Sequence, residues 1–172
     1  MDEVQERLRR YYETEMADRL RRPLGKHREA VLADVAEHCR AAGVRSILEV
    51  GCGAGRDGTA LAATGAAYCG VDVTAAAVAL CRDLGLSAVE GSALDLPFAD
   101  DSFDAAWTMS TLMHLPGDGM QRALKEIRRV VRAGGLLQLG VWGAYDDRER
   151  VDEHGRYFWS RSDGELCRLA IP

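Results

Sequence analysis

The stretch Ile47-Leu-Glu-Val-Gly-Cys-Gly-Ala-Gly55 decides the fold of this 172-residue chain. A short apolar run ends at a cluster of glycines, and this predicts a strand followed by a sharp turn, because glycine adopts backbone angles that other residues avoid. The turn leads into a predicted helix from Asp57 to Ala63, whose first amides would point at a ligand beside the turn. The stretch therefore predicts a strand, a glycine-rich binding loop and a helix.

The segments after this loop alternate between strand and helix patterns. The predicted strands are Ala67–Asp72, Ser87–Glu90, Phe103–Met109 and Leu136–Trp142, and the predicted helices are Thr74–Leu84 and Asp118–Arg132. Such alternation is typical of parallel strands joined by right-handed crossovers. We therefore predict an α/β fold with a doubly wound, mostly parallel Rossmann-like sheet of about five strands and helices on both faces.

The two ends of the chain flank this core. Apolar residues at helical spacing predict an amphipathic helix over residues 1–22, and Pro23 and Gly25 separate it from a second helix, Lys26–Ala42. We assign residues 1–43 to a helical cap and residues 44–143 to the core. Residues 144–172 form a charged loop, 144–156, and a short helix from about Ser162 to Pro172. All three parts belong to one domain, because the length allows roughly one.

Composition excludes several classes of function. The net charge of −5 and the aromatic content of 6% disfavour a nucleic-acid partner. No run approaches the ~18 apolar residues of a membrane helix, and the charged start does not resemble a signal peptide. Five cysteines without a C-x-x-C pair indicate a reducing compartment, so we expect a cytoplasmic protein without a membrane partner. The histidines lack metal-ligand spacing, so no metal is expected.

Two kinds of nucleotide cofactor fit the glycine loop. The segment Gly53-Ala-Gly55-Arg-Asp-Gly58 satisfies the dinucleotide pattern, and Asp72 follows at the distance expected for a residue that binds ribose hydroxyls. An NAD-dependent oxidoreductase is therefore one alternative. Glu49 precedes the first glycine by two residues, where it would repel a pyrophosphate and attract a positively charged group. It favours a ligand that carries an ammonium group.

Four segments resemble the class I S-adenosylmethionine-dependent methyltransferases, especially those that act on small molecules. They are Leu48–Gly55, Gly70–Thr74, Glu90–Phe98 and Arg128–Leu137, in the family's order and spacing. The resemblance covers roughly residues 26 to 142. It implies the cofactor S-adenosyl-L-methionine and transfer of its methyl group to a small organic acceptor. A methyltransferase-like protein that binds the cofactor without catalysis is a second alternative.

The resemblance also implies a set of cofactor contacts. Glu49, Gly51, Cys52, Gly53 and Gly55 would contact the methionine and ribose parts, Asp72 and Val73 the ribose and one adenine face, Ser92, Ala93 and Leu94 the adenine, and Met109 and Ser110 the methionine end. Ser92 stands where the family commonly has an acid, so its hydrogen bond to the adenine amino group would be weaker.

Residues outside the motifs supply candidates for catalysis and for a lid. His114 follows the strand Phe103–Met109 and is the candidate general base, with an ordinary pKa of ~6.5; alternatively, it shapes the turn before Pro116. Tyr11 and Tyr12 lie on the first helix, which in this family often folds over the cofactor. Arg28 is a candidate partner for the methionine carboxylate.

The C-terminal part departs from the family. The usual sheet ends with an antiparallel hairpin beside the fifth strand, and here the charged loop 144–156 stands in its place. We therefore expect the hairpin to be missing and the fifth strand to be an open edge, which proteins rarely leave bare. Either the aromatic segment Tyr157–Trp159 covers that edge, or a second copy does, which would make the protein a homodimer.

Overall fold

The structure, a computed structural model, describes residues 3–170. Its centre is a five-stranded parallel sheet with the strand order β3-β2-β1-β4-β5. The strands are β1 Ser46–Val50, β2 Ala67–Asp72, β3 Ala88–Glu90, β4 Phe103–Met109 and β5 Val131–Gly140. The predicted fold class and the number of strands in this sheet are confirmed.

Helices cover both faces of the sheet. They are α1 Glu3–Arg21, α2 Lys26–Ala41, α3 Arg56–Ala62, α4 Ala75–Asp83, a 3-10 turn Leu112–His114, α5 Gly119–Val130 and α6 Asp163–Ala170. One core joins α2, α3 and α4 to the sheet face that carries Ile47 and Trp107. The other joins α5 to the opposite face through Leu48 and Ile127. Adjacent residues of β1 thus enter different cores, as the strand's alternation requires.

The topology fixes where a ligand can bind. β1 pairs with β2 on one side and with β4 on the other, so the chain order reverses at β1. In open α/β sheets, ligands bind outside the carboxyl ends of the strands at such a reversal. The glycine loop after β1, the end of β2 and the turn after β4 all lie there.

The C-terminal part contains a hairpin that the sequence did not predict. Strands β6, Arg148–Val151, and β7, Tyr157–Ser160, pair antiparallel in a separate two-stranded sheet. The prediction of a charged loop over residues 144–156 is therefore wrong at β6. All four residues of β6 are exposed, so the strand lacks the apolar alternation that marks a half-buried strand. The hairpin lies apart from the main sheet, whose last described strand is β5.

Other predicted boundaries shift by a few residues. β5 begins at Val131, directly after α5, and the register of its pairing with β4 is irregular near Phe103. Residues 1–2 of the predicted first helix and residues 171–172 of the predicted last helix lie outside the described residues. Within residues 3–170, no helix is both long and apolar enough to cross a membrane.

Candidate cofactor and acceptor site

A cavity of about 400 Å3 lies at the carboxyl ends of β1, β2 and β4, beneath α1. This volume is within the usual range for small-molecule sites. Thirteen of the residues singled out from the sequence line it: Tyr12, Arg28, Gly51, Cys52, Gly53, Asp72, Val73, Ser92, Ala93, Leu94, Met109, Ser110 and His114. The structure does not bring Glu49, Gly55 or Tyr11 to its wall.

The glycine loop forms the floor of the cavity. The amides of Gly51 and Cys52 donate to the carbonyl of Val71 at 2.8 and 3.1 Å, which fixes the loop to β2. Gly51 has a φ of 78°, and a Cβ there would overlap the side chain of Thr111. A Cβ at Gly53, by contrast, would have no neighbour within 4 Å. The loop is therefore packed tightly beneath Gly51 and leaves open space at Gly53.

Asp72 is held in place at the end of β2. One carboxylate oxygen accepts from the amide of Gly53 at 3.0 Å, and the other from the amide and hydroxyl of Thr74 at 3.0 and 2.9 Å. Burial raises the pKa of Asp72 above its ordinary value, and these hydrogen bonds oppose that effect. Two carboxylate oxygens offer about four acceptor positions. Asp72 therefore retains acceptor capacity for a ligand hydroxyl.

Glu49 lies behind the glycine loop and does not line the cavity. Its carboxylate is buried and accepts a hydrogen bond from the Tyr68 hydroxyl at 2.6 Å. Burial, and then the negative charge of Asp57, raise the pKa of Glu49 well above its ordinary value. The sequence analysis predicted that Glu49 contacts the ligand, whereas the structure turns its side chain into the core, where it pairs with Tyr68.

Asp57, which the sequence analysis did not single out, organises one wall of the cavity. Its carboxylate, only 1% exposed, accepts from Nε of Arg28 at 2.9 Å and from Nε1 of Trp107 at 2.8 Å. Arg28 is thereby held against the wall through Nε and Nη2. Because a guanidinium has five N–H donors, Nη1 remains available to a ligand.

His114 connects three parts of the chain that are distant in sequence. Its Nδ1 lies 2.8 Å from the carbonyl oxygen of Tyr157 in β7, and its Nε2 lies 3.0 Å from the hydroxyl of Tyr12 in α1. Since a carbonyl only accepts, Nδ1 carries the hydrogen in the neutral ring and Nε2 accepts from Tyr12. Burial lowers the pKa of His114 to about 4, so the ring is neutral at physiological pH.

A comparison of the chain with known proteins identifies its family. The family of methyltransferase domains, in its Methyltransf_11 branch, matches residues 48–139, just over half of the chain. The chain belongs to the class I S-adenosylmethionine-dependent methyltransferases. This assignment sets aside the nicotinamide alternative.

Individual relatives support the same family assignment. Methyltransferase GfsG of Streptomyces halstedii is 32% identical over 139 residues, which cover 73% of this chain and 49% of that protein. O-methyltransferase resE of Aspergillus sclerotiorum is 33% identical over 120 residues, covering 64% and 45%. The chain thus spans about half the length of the curated relatives that it matches.

A solved structure shares the fold of this chain. It is 1,6-didemethyltoxoflavin-N1-methyltransferase of Burkholderia thailandensis, with bound 1,6-didemethyltoxoflavin and S-adenosylhomocysteine. The TM-score is 0.73 at 20% sequence identity, and the match covers 98% of this chain and 78% of that chain. The match extends the shared fold beyond the core to the first helices and the C-terminal part.

Helix α1 covers the cavity. Met16 is buried against Ala54 of the glycine loop and Ala77 of α4. Glu13 accepts a hydrogen bond from the amide of Ala76 at 3.0 Å, in the first turn of α4. The predicted pair of lid tyrosines separates: Tyr12 faces the cavity, while Tyr11 stacks on His154 outside it.

Further lining residues were not identified from the sequence. Thr111, Met16 and Arg19 line the cavity although no motif includes them. Asp95, in the segment Glu90–Phe98, also lines the cavity, beside the serine that replaces the family's acid. Only the position of Asp95 in a family-like segment offered a signal, because the other three depend on how α1 and the turn after β4 pack.

The glycine loop also carries a thiol that contacts helix α4. Sγ of Cys52 and Sγ of Cys81 are 3.6 Å apart, and both side chains are buried. The Cys81 thiol is also 3.5 Å from the carbonyl oxygen of Gly53. Both cysteines are free thiols.

The residues present fit S-adenosylmethionine. Asp72 offers acceptors for the ribose hydroxyls, the open space at Gly53 admits a ligand beside the backbone, and Arg28 presents a donor for the methionine carboxylate. No group of three or more His, Cys, Asp or Glu side chains within residues 3–170 is placed to hold a metal ion.

Proposed function

We propose that this protein transfers the methyl group of S-adenosylmethionine to a small organic acceptor. One observation carries the proposal: the anchored carboxylate of Asp72 and the Tyr12–His114 pair face the same cavity under one helix. One cavity therefore joins a part suited to bind a nucleotide with a polar part suited to bind an acceptor. The name of the O-methyltransferase relative and the bound 1,6-didemethyltoxoflavin of the similar structure support a small acceptor.

The cofactor-binding part of the proposal uses the residues at the floor and rim of the cavity. Gly51, Cys52 and Gly53 would border the methionine and ribose parts, and Asp72 with Val73 would hold the ribose. Ser92, Ala93 and Leu94 would border the adenine, and Met109 and Ser110 the methionine end. Glu49 and Gly55 would act by supporting the loop: Gly55, with a φ of 73°, packs against Cys81 and Leu86.

The acceptor part of the proposal assigns orientation and water exclusion to the protein. When bound, S-adenosylmethionine supplies a methyl group whose bond to the sulfonium breaks as the acceptor's lone pair attacks, leaving the electron pair on sulfur. The protein must align the acceptor with that methyl group and keep water out. Helix α1 closes the cavity, and the Tyr12 hydroxyl, which donates to Nε2 of His114, is positioned to take the proton that a neutral acceptor releases while it passes its own proton to Nε2.

The first test is a calorimetric titration of cofactor-free protein with S-adenosylhomocysteine, with NAD as the parallel ligand. We expect micromolar binding of S-adenosylhomocysteine and none of NAD. Asp72→Ala should remove the binding, and Asp83→Ala, an exposed aspartate at the end of α4, should not. Binding of NAD alone, or unchanged binding in Asp72→Ala, would refute the cofactor site.

A screen of small acceptors with radiolabelled S-adenosylmethionine then tests the reaction. Product formation is the expected result. Tight cofactor binding without turnover on any acceptor would favour the alternative, a methyltransferase-like protein that binds cofactor without catalysis. Five free thiols are typical of a reducing compartment, so we propose that the reaction occurs in the cytoplasm.

We also propose that a second copy of the chain covers the open edge of β5. Residues 133–144 carry no charged side chain, although the chain has a net charge of −5. Leu137 is 44% exposed and Trp142 51% exposed near this edge. An edge strand that is uncharged and partly apolar from Ala133 onward is a template for pairing with a like strand. Sedimentation should show a dimer at tens of micromolar that Leu137→Lys converts to monomer; a monomeric parent protein would refute this arrangement.

A further inference from the structure

Arg19 is one of two cavity-lining arginines that have no carboxylate partner within residues 3–170; the other, Arg56, has backbone carbonyl acceptors. Four arginines line the cavity: Arg19, Arg28, Arg56 and Arg122. Arg28 binds Asp57, Arg122 lies 4.0 Å from Asp118, and Arg56 donates to the carbonyl of Arg22 at 2.7 Å. Within residues 3–170, no carboxylate lies within 4 Å of the Arg19 guanidinium.

The surroundings of Arg19 also leave one of its donors unsatisfied. Its Nε is buried and has no hydrogen-bond partner. A buried donor loses its hydrogen bonds to water, and it regains them only when an acceptor binds beside it. A guanidinium offers two parallel N–H groups that match a carboxylate, and such charge-assisted pairs are among the stronger hydrogen bonds in proteins. Arg19 is thus prepared for an anionic ligand.

The position of Arg19 relates this anion site to the acceptor end. The guanidinium carbon of Arg19 lies 4.6 Å from the centre of the Tyr12 ring, and the hydroxyl of Tyr12 bonds His114. Arg19 therefore stacks on Tyr12, which lies between Arg19 and His114, the candidate base. For the methionine carboxylate, the proposed donor is Arg28, which Asp57 holds against another part of the wall through Nε and Nη2.

A second cation strengthens the positive field at this end. The Arg156 guanidinium lies 4.5 Å from the Tyr11 ring, and its charge, together with that of Arg19, opposes protonation of His114. Asp152 pairs with Arg156 and balances part of its charge. A ligand that brings a negative charge to Arg19 would be favoured by this field, and a cationic ligand disfavoured.

We infer that Arg19 pairs with an anionic group of the methyl acceptor, so that the substrates of this site are small organic acids. The inference rests on the proposed function, because it assigns a substrate class to that same site. A carboxylate on the acceptor would sit against Arg19, and the acceptor would be aligned beside Tyr12 and His114. An acceptor lacking the charge would leave the Arg19 donor unsatisfied and bind more weakly.

The test compares acids with uncharged analogues of the same shape. The protein–S-adenosylhomocysteine complex is titrated with acetate, benzoate, 4-hydroxybenzoate and succinate, and with the matching amides. We expect at least one acid to bind about tenfold more tightly than its amide, the scale of one charge-assisted hydrogen bond. Arg19→Gln should abolish that preference and Arg19→Lys should restore part of it. Arg21→Gln, on the exposed side of α1, is the matched control.

The same variants separate the two possible sources of the anion. S-Adenosylhomocysteine carries the amino-acid carboxylate and 5′-methylthioadenosine lacks it. If Arg19→Gln weakens binding of the first about tenfold and leaves the second unchanged, Arg19 binds the cofactor and the inference is overturned. It is equally overturned if no acid in the panel binds better than its amide. Failure of the parent protein to bind S-adenosylhomocysteine would instead refute the proposed function itself.

Discussion

His114 gains its properties from its two neighbours rather than from its place in the chain. The carbonyl of Tyr157 fixes the hydrogen on Nδ1, and the hydroxyl of Tyr12 occupies Nε2. A buried imidazole with a pKa of about 4 stays in its basic form throughout the neutral range, but it is a weak base. His114 is therefore suited to take a proton from an acceptor that is itself acidic.

We expect His114→Ala to lower turnover at least about tenfold, because it removes the group placed to accept a proton. The affinity for S-adenosylhomocysteine should change much less. Because the pKa of His114 is about 4, its protonation should cause no fall in kcat near pH 6.5. Steady-state kinetics from pH 5 to 8 check both points, with His154→Ala as the control outside the cavity. Unchanged turnover in His114→Ala would exclude the role of base.

The contact of Cys52 with Cys81 predicts a response to a thiol oxidant. In a Cys167→Ser background, diamide should join the two sulfurs, each thiol giving up one hydrogen to the reagent. Because Cys52 lines the cavity, bound S-adenosylhomocysteine should slow the reaction. Peptide mass spectrometry identifies the cross-link, and Cys81→Ser is the control. A cross-link involving other cysteines, or none, would contradict the packing.

At the scale of elements, α1 is attached to the core at a few defined points. Met16 packs into the space between the glycine loop and α4, and Glu13 accepts from the first turn of α4. A carboxylate at the start of a helix also interacts favourably with the helix dipole. The hairpin of β6 and β7 supports the same helix from the other side, since Tyr157 holds His114 and His114 holds Tyr12.

We expect Glu13→Ala to loosen this lid. Loss of a capping contact costs about 1 kcal/mol, which corresponds to roughly a fivefold shift toward the open form. The dissociation rate of S-adenosylhomocysteine, measured by stopped-flow fluorescence, should rise by about that factor. Asp18→Ala, whose side chain is 61% exposed on the same helix, should leave the rate unchanged. Equal rates in the parent protein and Glu13→Ala would show that α1 does not gate the cavity.

At the scale of the whole molecule, buried ionisable groups couple stability to pH in opposite directions. His114 has a folded pKa of about 4, below its ordinary value of 6.5, so the unfolded chain binds more protons between these values. Stability from this residue is therefore complete above pH 6.5 and is lost as the pH falls toward 4. Glu49 and Asp72 have raised pKa values, so their contribution to the free energy of unfolding increases as the pH falls.

The contribution of His114 can be isolated by comparison with His114→Gln, which keeps Glu49 and Asp72. Between pH 7 and 4.5, urea denaturation should show that the parent protein loses about 2 kcal/mol more free energy of unfolding than the variant does. His154→Gln serves as the control, since that histidine is half exposed. Parallel pH profiles for the parent protein and His114→Gln would mean that the ring is not buried as described.

The order of strands and helices in the core could be predicted from the sequence because it depends on local patterns. The apolar run and the glycines at 47–55 specify a strand and a tight turn wherever the chain lies, and Asp72 follows from the next strand's end. The hairpin could not be predicted in this way. β6 is charged and exposed, and it is held by contacts such as that of Arg150 with the Phe158 ring.

The sequence by itself determined the doubly wound fold, the glycine loop after β1 and the acid at the end of β2, since each is encoded within a few neighbouring residues. Only the tertiary structure decided that Glu49 turns into the core, that Tyr12 rather than Tyr11 faces the cavity, and that Arg19 lines it. These placements depend on packing between segments as far apart as Tyr12 and His114, 102 residues along the chain. Local propensity carries no information about such contacts, because their energy arises only when the segments have been brought together.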